Sequence, residues 1–201
     1  EVPLESVPEL VQTTILTSED ADFYSHKGVN VRSLIRALHS DIDSGQVAQG
    51  GSTITQQLIK QSITGDRQTL ERKVREAILA TKLEKQMSKE EILERYLNTV
   101  YLGHGAYGVE AASETYFNKS VTDIGWAEAA MLASLIPNPT RYDPISTETR
   151  DRSKTQRGIV VRRLVQEQVI DQAAADKIND TPLPTQVFER EKATAQAQLV
   201  G

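Results

Sequence analysis

Apolar residues recur at helical intervals through the middle of the chain, where glycine and proline are sparse between residues 66 and 102. Ser88 and Glu91 form a capping-box pattern that predicts the start of a helix. One face of that helix then repeats apolar side chains as far as Gly103: Ile92, Leu93, Tyr96, Leu97 and Val100. Because few segments alternate with the two-residue period of a strand, the pattern predicts a mainly α fold.

The preceding segment predicts another helix, which carries an apolar stripe with a group of charges beside it. The stripe consists of Leu70, Val74, Ala77 and Ile78. The charged residues fall within about one turn of each other, so they are predicted to be presented together on one side: Arg72, Lys73 and Glu76.

Two prolines end a short apolar helix in the second half of the chain. The alanine-rich stretch 126–136 predicts a largely buried helix that stops before Pro137 and Pro139. Proline lacks an amide donor and disfavours helical geometry in the residue before it. Residues 151–179 predict one or two further helices with basic outer faces.

Helical periodicity is lost after Pro182, and the segment that begins at Lys192 is typical of a linker. We therefore predict one domain over residues 1–185 and a linker over 186–201 that leads to a further domain. At 201 residues the chain is long enough for one substantial domain or for two small lobes that share a cleft.

Composition excludes several classes of protein. Without cysteine, the chain has no thiolate metal site, thiol nucleophile or disulfide framework. The net charge of -5 argues against a general nucleic-acid-binding protein, which would show a basic excess. No apolar run approaches the roughly 20 residues of a membrane span, and the N-terminus lacks a signal-peptide pattern. We expect a soluble chain or a piece of a larger protein.

The segment 19–28 concentrates carboxylates, aromatic rings and a histidine. Partial burial of Glu19 by Phe23 or Tyr24 would raise the pKa of its carboxyl group. A carboxylate with a raised pKa is suited to act as a general base.

A structural interpretation of the same segment stays open. Glu19 or Asp20 would cap a helix over about residues 31–38, and His26 would bond to a backbone carbonyl. A metal site at His26 is not predicted, because the other histidines, His39 and His104, lack any ligand spacing.

A second polar block begins with Gly50 and Gly51 and continues into a predicted helix. Exposed amides at such a helix start can receive an anion. Gln56, Gln57 and Lys60 follow on the same helix, where their side chains could bond to sugar hydroxyls or amides. The alternative is a solvated helix face.

A local excess of cations accompanies the two blocks: Arg36, Lys60, Arg67, Arg72, Lys73 and Arg75. Such a patch suits a diphosphate, although these side chains can also pair along helices with Glu71, Glu76 or Glu84. Glu19 and Glu76 lie on separate predicted helices with cations nearby. This arrangement suits glycosyl transfer from a phosphate leaving group, since one carboxylate removes a proton while cations absorb the leaving charge.

Most of the chain resembles the peptidoglycan glycosyltransferase domain, glycosyltransferase family 51, of class A penicillin-binding proteins and monofunctional cell-wall glycosyltransferases. Five motifs of that family occur in order. They are Glu19-Asp20-x-x-Phe23-x-x-His26-x-Gly28, Gly50-Gly51-Ser52-Thr53-Ile54-Thr55-Gln56-Gln57, Arg72-Lys73-x-x-Glu76, Lys89-x-x-Ile92-Leu93-Glu94-x-Tyr96-Leu97-Asn98, and Glu128-Ala129-Ala130-x-Leu132-Ala133 leading to Pro137, Pro139 and Pro144. One such motif can arise by chance, whereas five in order are specific.

The resemblance implies a mainly α, lysozyme-like fold with a large head lobe and a small membrane-proximal lobe, whose cleft holds lipid II and the growing lipid-linked glycan. Glu19 would be the catalytic base that deprotonates the 4-hydroxyl of the acceptor's N-acetylglucosamine. That hydroxyl would attack the anomeric carbon of the donor and expel polyprenyl diphosphate with inversion. Glu76 would assist, by orienting the diphosphate or a divalent cation, Mg or Mn; no cofactor is implied as necessary.

The resemblance also implies supporting roles for other residues of the site. The cations that would steady the diphosphate are Arg36, Lys60, Arg67, Arg72 and Lys73. The residues that would shape the cleft and contact substrate are Asp20, Phe23, His26, Ser52, Thr53, Gln56 and Gln57, with Tyr96 and Asn98 in support. Gln61 departs from the pattern, since many relatives carry asparagine there.

The resemblance further implies a position at the outer face of the bacterial cytoplasmic membrane. The full-length protein would carry an N-terminal membrane helix and a transpeptidase domain, and it would have no nucleic-acid partner. Apolar residues after the first motif would lie beside the membrane or form a core helix: Val29, Val31, Leu34, Ile35 and Leu38. Residues 41–49 predict a mobile loop over the cleft. No Ser-x-x-Lys occurs, so acylation by penicillin is not expected in this chain.

Two other functions compete with polymerisation. The first is a lysozyme-like hydrolase or lytic transglycosylase, in which one glutamate acts as an acid on existing glycan. The cationic third motif argues against it, because a glycan-cleaving site has no diphosphate to neutralise. The second is a non-catalytic cell-wall scaffold, against which the intact Glu19 and Glu76 argue.

Overall fold

The computed structural model describes residues 1–30, 51–62 and 70–189. These ranges contain eight α-helices: α1 (Glu9–Glu19), α2 (Ile54–Ser62), α3 (Leu70–Leu83), α4 (Lys89–Thr99), α5 (Val109–Phe117), α6 (Trp126–Leu135), α7 (Arg150–Gln166) and α8 (Gln172–Asp180). Short 3₁₀ turns occur at Leu4–Ser6 and Val121–Asp123. Within the described ranges there is no sheet, only an isolated antiparallel bridge between Tyr101 and Tyr107. The prediction of a mainly α fold is confirmed.

Helix α6 lies in the core. Every residue from Ala129 to Leu135 is buried, and α1 and α7 both pack against this helix. The alanines keep the packing surface narrow, which allows neighbouring helix axes to come close. The carboxylate of Glu128 accepts from the amide of Gly125 at 2.8 Å and caps the start of the helix. The buried helix predicted over residues 126–136 is therefore confirmed, and it ends at Leu135.

Helix α4 begins at the predicted capping box. The hydroxyl of Ser88 accepts from the amide of Glu91 at 3.2 Å, and the Glu91 carboxylate accepts from the amide of Ser88 at 2.7 Å. Its apolar face lies in the core, through Ile92, Leu93, Tyr96 and Leu97. The helix ends at Thr99, four residues before Gly103, where the sequence predicted its end.

The apolar stripe predicted on α3 is not a buried face. Val74 and Ile78 are 53% and 52% exposed, whereas Glu76 and Ala80 are buried at 7% and 0%. Helix α3 packs against α2. Arg72 and Glu76 lie together as predicted, with Arg72 Nε 2.9 Å from Glu76 Oε1, but Glu76 is buried whereas Lys73 is exposed.

Gly28 brings the end of the first motif against α3. Its backbone has a φ of +86°, and a Cβ built there would lie 2.7 Å from the carbonyl carbon of Ala80 and 2.7 Å from the amide nitrogen of Thr81. The carbonyl of Gly28 accepts from the hydroxyl of Thr53 at 2.7 Å, just before α2. This glycine thus joins the first motif to both α2 and α3.

The helices after Pro139 form the remainder of the core. Helices α7 and α8 confirm the prediction of one or two helices over residues 151–179. The side chains of α7 that lie in the core are Val160, Val161 and Leu164. None of the helices that the structure describes is long and apolar enough to cross a membrane. Residues 31–50, 63–69 and 190–201 lie outside the described residues, and with them the predicted helix over 31–38, the predicted loop over 41–49, and most of the predicted linker.

Candidate active site

Glu19 is the last residue of α1, and its carboxylate begins a line of hydrogen bonds that runs through α2 to α4. The Nε2 amide of Gln57 in α2 donates to Glu19 Oε2 at 2.9 Å. The hydroxyl of Tyr96 in α4 donates to Gln57 Oε1 at 2.8 Å. The structure therefore brings together residues that the sequence placed in the first, second and fourth motifs.

Burial raises the pKa of the Glu19 carboxyl above its ordinary value. The hydrogen bond from Gln57 and the positive charge of Arg163 act in the opposite direction but do not cancel it, and the charge of Asp20 raises the pKa further. Of the two aromatic residues predicted to bury Glu19, Phe23 is itself 1% exposed and Tyr24 is 55% exposed. A raised pKa gives the ionised carboxylate more affinity for a proton, as a general base requires.

Arg163 is a part of this site that the sequence did not reveal. Its guanidinium donates to the backbone carbonyl of Ser18, the residue before Glu19, and its charge lowers the pKa of Glu19. Arg163 stands in α7, whose basic residues were assigned to an outer face. A sequence pattern could not distinguish it from its neighbour Arg162, because only the packing of α7 against α1 brings one of the two to Glu19.

Asp20 and His26 act on the start of α2. Asp20 Oδ2 accepts from the amide of Ile54, the first residue of α2, at 3.0 Å. His26 Nε2 lies 2.9 Å from Asp20 Oδ1 and 2.8 Å from Oδ2. The alternative in which His26 bonds to a backbone carbonyl is therefore wrong. Asp20 positions α2, and through it Gln57, while Glu19 itself accepts from Gln57 at 2.9 Å and from the Ser18 hydroxyl at 3.5 Å.

A second buried carboxylate, Glu84, ties these elements together and was not predicted as a site residue. Its Oε1 accepts from the hydroxyl of Thr55 at 2.5 Å and from Lys89 Nζ at 2.8 Å. Lys89 Nζ also lies 4.3 Å from the centre of the Phe23 ring and 3.5 Å from His26 Nδ1. These contacts join the first motif to the starts of α2 and α4, which explains the burial of Phe23.

Thr53 and Gln56 form a capping box at the start of α2. The amide of Thr53 donates to Gln56 Oε1 at 2.9 Å, and the amide of Gln56 donates to the Thr53 hydroxyl at 3.1 Å. With the amide of Ile54 bonded to Asp20, the first amides of this helix already have partners. These bonds give Thr53 and Gln56 a structural role; their predicted contact with substrate stays a prediction, as does that of the half-buried Ser52.

The predicted diphosphate-binding cations differ in their surroundings. Arg72 pairs with Glu76 at 2.9 Å, so these two site residues neutralise each other within α3. Arg75 pairs with Glu71 at 3.3 Å, which agrees with the alternative that these cations pair with glutamates along their own helix. Lys73 is exposed, and Lys60 is exposed one turn beyond Gln57 on α2. Arg36 and Arg67 lie outside the described residues.

Asn98 anchors the N-terminal segment. Its Oδ1 accepts from the amide of Val2 and its Nδ2 donates to the carbonyl of Val2, both at 2.8 Å. Glu94, one turn earlier in α4, accepts from the amide of Leu4 at 2.8 Å. Both ends of the Asn98 amide are thus occupied by backbone, which gives this residue a structural role; its predicted contact with substrate is untested.

The described residues offer no group of three or more histidine, aspartate or glutamate side chains that could hold a metal ion. A cavity of about 290 Å³ lies between α7, α8 and residues 181–183, and its lining includes Arg150, Lys154 and Arg157. It contains none of the predicted site residues.

Comparison with known proteins places this geometry in a family. The transglycosylase family model matches residues 1–165. Penicillin-binding protein 1A of Aquifex aeolicus is 40% identical over 182 residues, which cover 90% of this chain and 25% of that protein. Penicillin-binding protein 1A of Pseudomonas aeruginosa is 38% identical over 177 residues, which cover 88% of this chain and 21% of that protein.

A solved structure shows a similar fold. The crystal structure of penicillin-binding protein 1A from Haemophilus influenzae matches 94% of this chain and 19% of its own, with a TM-score of 0.55 and 23% identity. The molecule is thus a mainly α, lysozyme-like glycosyltransferase domain, as the sequence predicted. The chain belongs to the transglycosylase family. It spans about a quarter of the length of the curated relatives that it matches.

Proposed function

We propose that this domain is a peptidoglycan glycosyltransferase that polymerises lipid II into glycan strands. The observation that carries the proposal is the half-buried Glu19 carboxylate at the end of α1, with a raised pKa and a hydrogen bond from Gln57 of α2, which is itself bonded to Tyr96 of α4. Membership of the transglycosylase family supports it.

In the proposed reaction Glu19 takes the proton from the 4-hydroxyl of the acceptor's N-acetylglucosamine. The hydroxyl oxygen forms a bond to the anomeric carbon of the donor as the bond from that carbon to the diphosphate breaks. Polyprenyl diphosphate leaves with the electron pair, and the anomeric centre is inverted. Lys60 and the cations of α3 lower the energy of the developing negative charge on the leaving group.

The two alternative functions are separable by one assay. Incubation with the lipid-linked precursor lengthens glycan if the domain is a polymerase. Shortening of purified glycan would instead indicate a hydrolase or lytic transglycosylase. If glycan is neither lengthened nor shortened, the domain is a scaffold. The raised pKa of Glu19 also suits a general acid that cleaves glycan, so the assay measures both lengthening and shortening of glycan.

We further propose the cellular setting implied by this function. Lipid-linked substrates would require the domain to work at a membrane surface, and the setting that we propose is the outer face of the bacterial cytoplasmic membrane. In the full-length protein a transpeptidase domain would cross-link the strands that this domain makes. A divalent cation, Mg or Mn, would be held by Glu76 and would offset the negative charge of the diphosphate; comparison of polymerisation in Mg with polymerisation in a chelator tests this proposal.

Replacement of Lys60 by alanine should weaken donor binding. Lys60 is exposed three residues after Gln57, so it lies on the Glu19 side of α2. Loss of a charge-assisted bond to diphosphate should reduce donor affinity by about 10- to 100-fold. The affinity is measured by titration with the lipid-linked donor. The control is Lys177→Ala, an exposed lysine on α8. Equal affinity in the two variants would place Lys60 outside the site.

Replacement of Arg163 by methionine should shift the pH dependence of polymerisation. The positive charge of Arg163 lowers the pKa of Glu19, so its removal should raise that pKa further. The base works only when ionised, and the acid limb of kcat/KM should therefore move to higher pH. Arg162→Met serves as the matched control, because Arg162 is exposed as Arg163 is, and only Arg163 is bonded to the Ser18 carbonyl and acts on the pKa of Glu19. An acid limb that stays in place, or moves to lower pH, contradicts this role.

A further inference from the structure

Tyr96, Gln57 and Glu19 form a line of hydrogen bonds. The Tyr96 hydroxyl donates to Gln57 Oε1 at 2.8 Å, and Gln57 Nε2 donates to Glu19 Oε2 at 2.9 Å. Tyr96 is 0% exposed, and among the described residues its hydroxyl has no hydrogen-bond partner other than Gln57. The line thus runs from a buried hydroxyl to the candidate base.

The chemistry of the three groups determines the direction of this line. An ionised carboxylate only accepts hydrogen bonds, an amide has one donating and one accepting end, and a hydroxyl can do either. If the Gln57 amide were reversed while Glu19 is ionised, a carbonyl oxygen would face the carboxylate and repel it. The observed orientation is the one that satisfies all three side chains.

We infer that Tyr96 is a positioning residue for the base: its hydroxyl holds the Gln57 amide with the N–H end toward Glu19, which favours the ionised carboxylate. This inference rests on the proposed function, in which Glu19 removes the acceptor proton. Donation from the hydroxyl to the amide oxygen also polarises the amide and makes its N–H a stronger donor. Gln57 and Tyr96 therefore serve the reaction through Glu19, rather than by contact with sugar.

The same two side chains can serve Glu19 after it has taken the proton. The Gln57 amide can then reverse, so that its carbonyl accepts from the carboxylic acid and its N–H donates to the Tyr96 oxygen. The hydroxyl of Tyr96 permits both orientations because it donates in one and accepts in the other. Phenylalanine at this position would remove the partner of one end of the half-buried Gln57 amide in either state.

Two other charged groups act on Glu19. Arg163 approaches from α7 and lowers its pKa, and Asp20, the next residue in the chain, raises it. Neither is bonded to the Tyr96 hydroxyl or the Gln57 amide in the described structure. Changes at Tyr96 or Gln57 therefore leave these two contributions in place.

Three variants test the inference: Tyr96→Phe, Gln57→Met and the double variant. Loss of the Gln57 donor should raise the pKa of Glu19 by about one unit, and loss of the Tyr96 hydroxyl by about half a unit. Because Tyr96 acts through Gln57, its substitution should cause no additional shift when methionine already stands at position 57. Phenylalanine retains the buried ring, and thermal unfolding confirms that each variant is folded.

The pKa is measured directly by carbon-13 NMR titration of the glutamate carboxyls, with Glu19→Gln to assign the Glu19 signal. This readout does not depend on polymerisation, so it separates failure of the inference from failure of the proposed function. The acid limb of kcat/KM provides a second readout. An unchanged pKa in Tyr96→Phe overturns the inference, as does an equal shift from this substitution in the wild-type and Gln57→Met backgrounds.

Discussion

Polymerisation of the lipid-linked precursor should fall by at least about 100- to 10,000-fold when Glu19 is replaced by glutamine, because the variant retains the shape of the side chain and loses the proton acceptor. The measurement is the initial rate of glycan formation at saturating donor. Donor binding should remain largely intact, since the cations assigned to the diphosphate are unchanged. Polymerisation at the wild-type rate would refute the assignment of Glu19 as the base.

The same substitution should not destabilise the fold. In the folded chain the pKa of Glu19 is raised, so the folded state binds its proton more tightly than the unfolded state does. Stability from this residue therefore falls as pH rises from the unfolded pKa through the folded pKa. A neutral glutamine removes this effect, so at pH 7 the Tm of the variant should equal or exceed that of the wild type. Glu114→Gln, an exposed site on α5, is the matched control for both measurements.

Replacement of Gly28 by alanine should cost about 3 kcal/mol or more of unfolding free energy. A side chain at φ +86° is strained, and the new Cβ would lie within 2.7 Å of backbone atoms of Ala80 and Thr81. Backbone cannot rotate away as a flexible side chain can, so α3 must move or the first motif must detach from it. Chemical denaturation of the folded variant measures the cost.

Gly105 provides the control for this prediction. Its φ is +72°, and a Cβ built there meets nothing within 4 Å. Gly105→Ala should therefore cost only the backbone strain, about 1 kcal/mol. If the two alanine variants lose the same stability, the contact between Gly28 and α3 contributes nothing measurable.

Sequence patterns predicted the helices whose limits are set locally. The capping box at Ser88 and the prolines after α6 act within a few residues, so they can be read from the chain alone. The apolar stripe of α3 misled because Val74 and Ile78 are among its most hydrophobic residues and yet face outward. The buried residues of helix α3 instead include Glu76 and Ala80, which no hydrophobic pattern would select.

In the candidate site, too, local features could be predicted from the sequence, whereas contacts between distant residues could not. Glu19 was predicted from its motif, but its contacts depend on how three helices pack. Glu19 is bonded to Gln57, 38 residues away, and Gln57 is bonded to Tyr96, a further 39 residues away. Arg163 donates to a carbonyl 145 residues away, which no local pattern reveals. The capping box at Thr53 and Gln56 was visible in the sequence, since Thr-x-x-Gln is the pattern that predicts one. The sequence also allows a contact of Gln56 with sugar, and in the structure its carbonyl oxygen is bonded to the amide of Thr53.

The position of Glu19 at the end of α1 has a consequence for the strength of the base. The carbonyl end of a helix carries a partial negative charge, which disfavours a second negative charge beside it. A carboxylate there holds a proton more strongly than one at the amino end, where anions are stabilised. The bond from Arg163 to the Ser18 carbonyl offsets part of this field. In a designed domain, the same glutamate and glutamine moved to the first turn of a helix would make a weaker base.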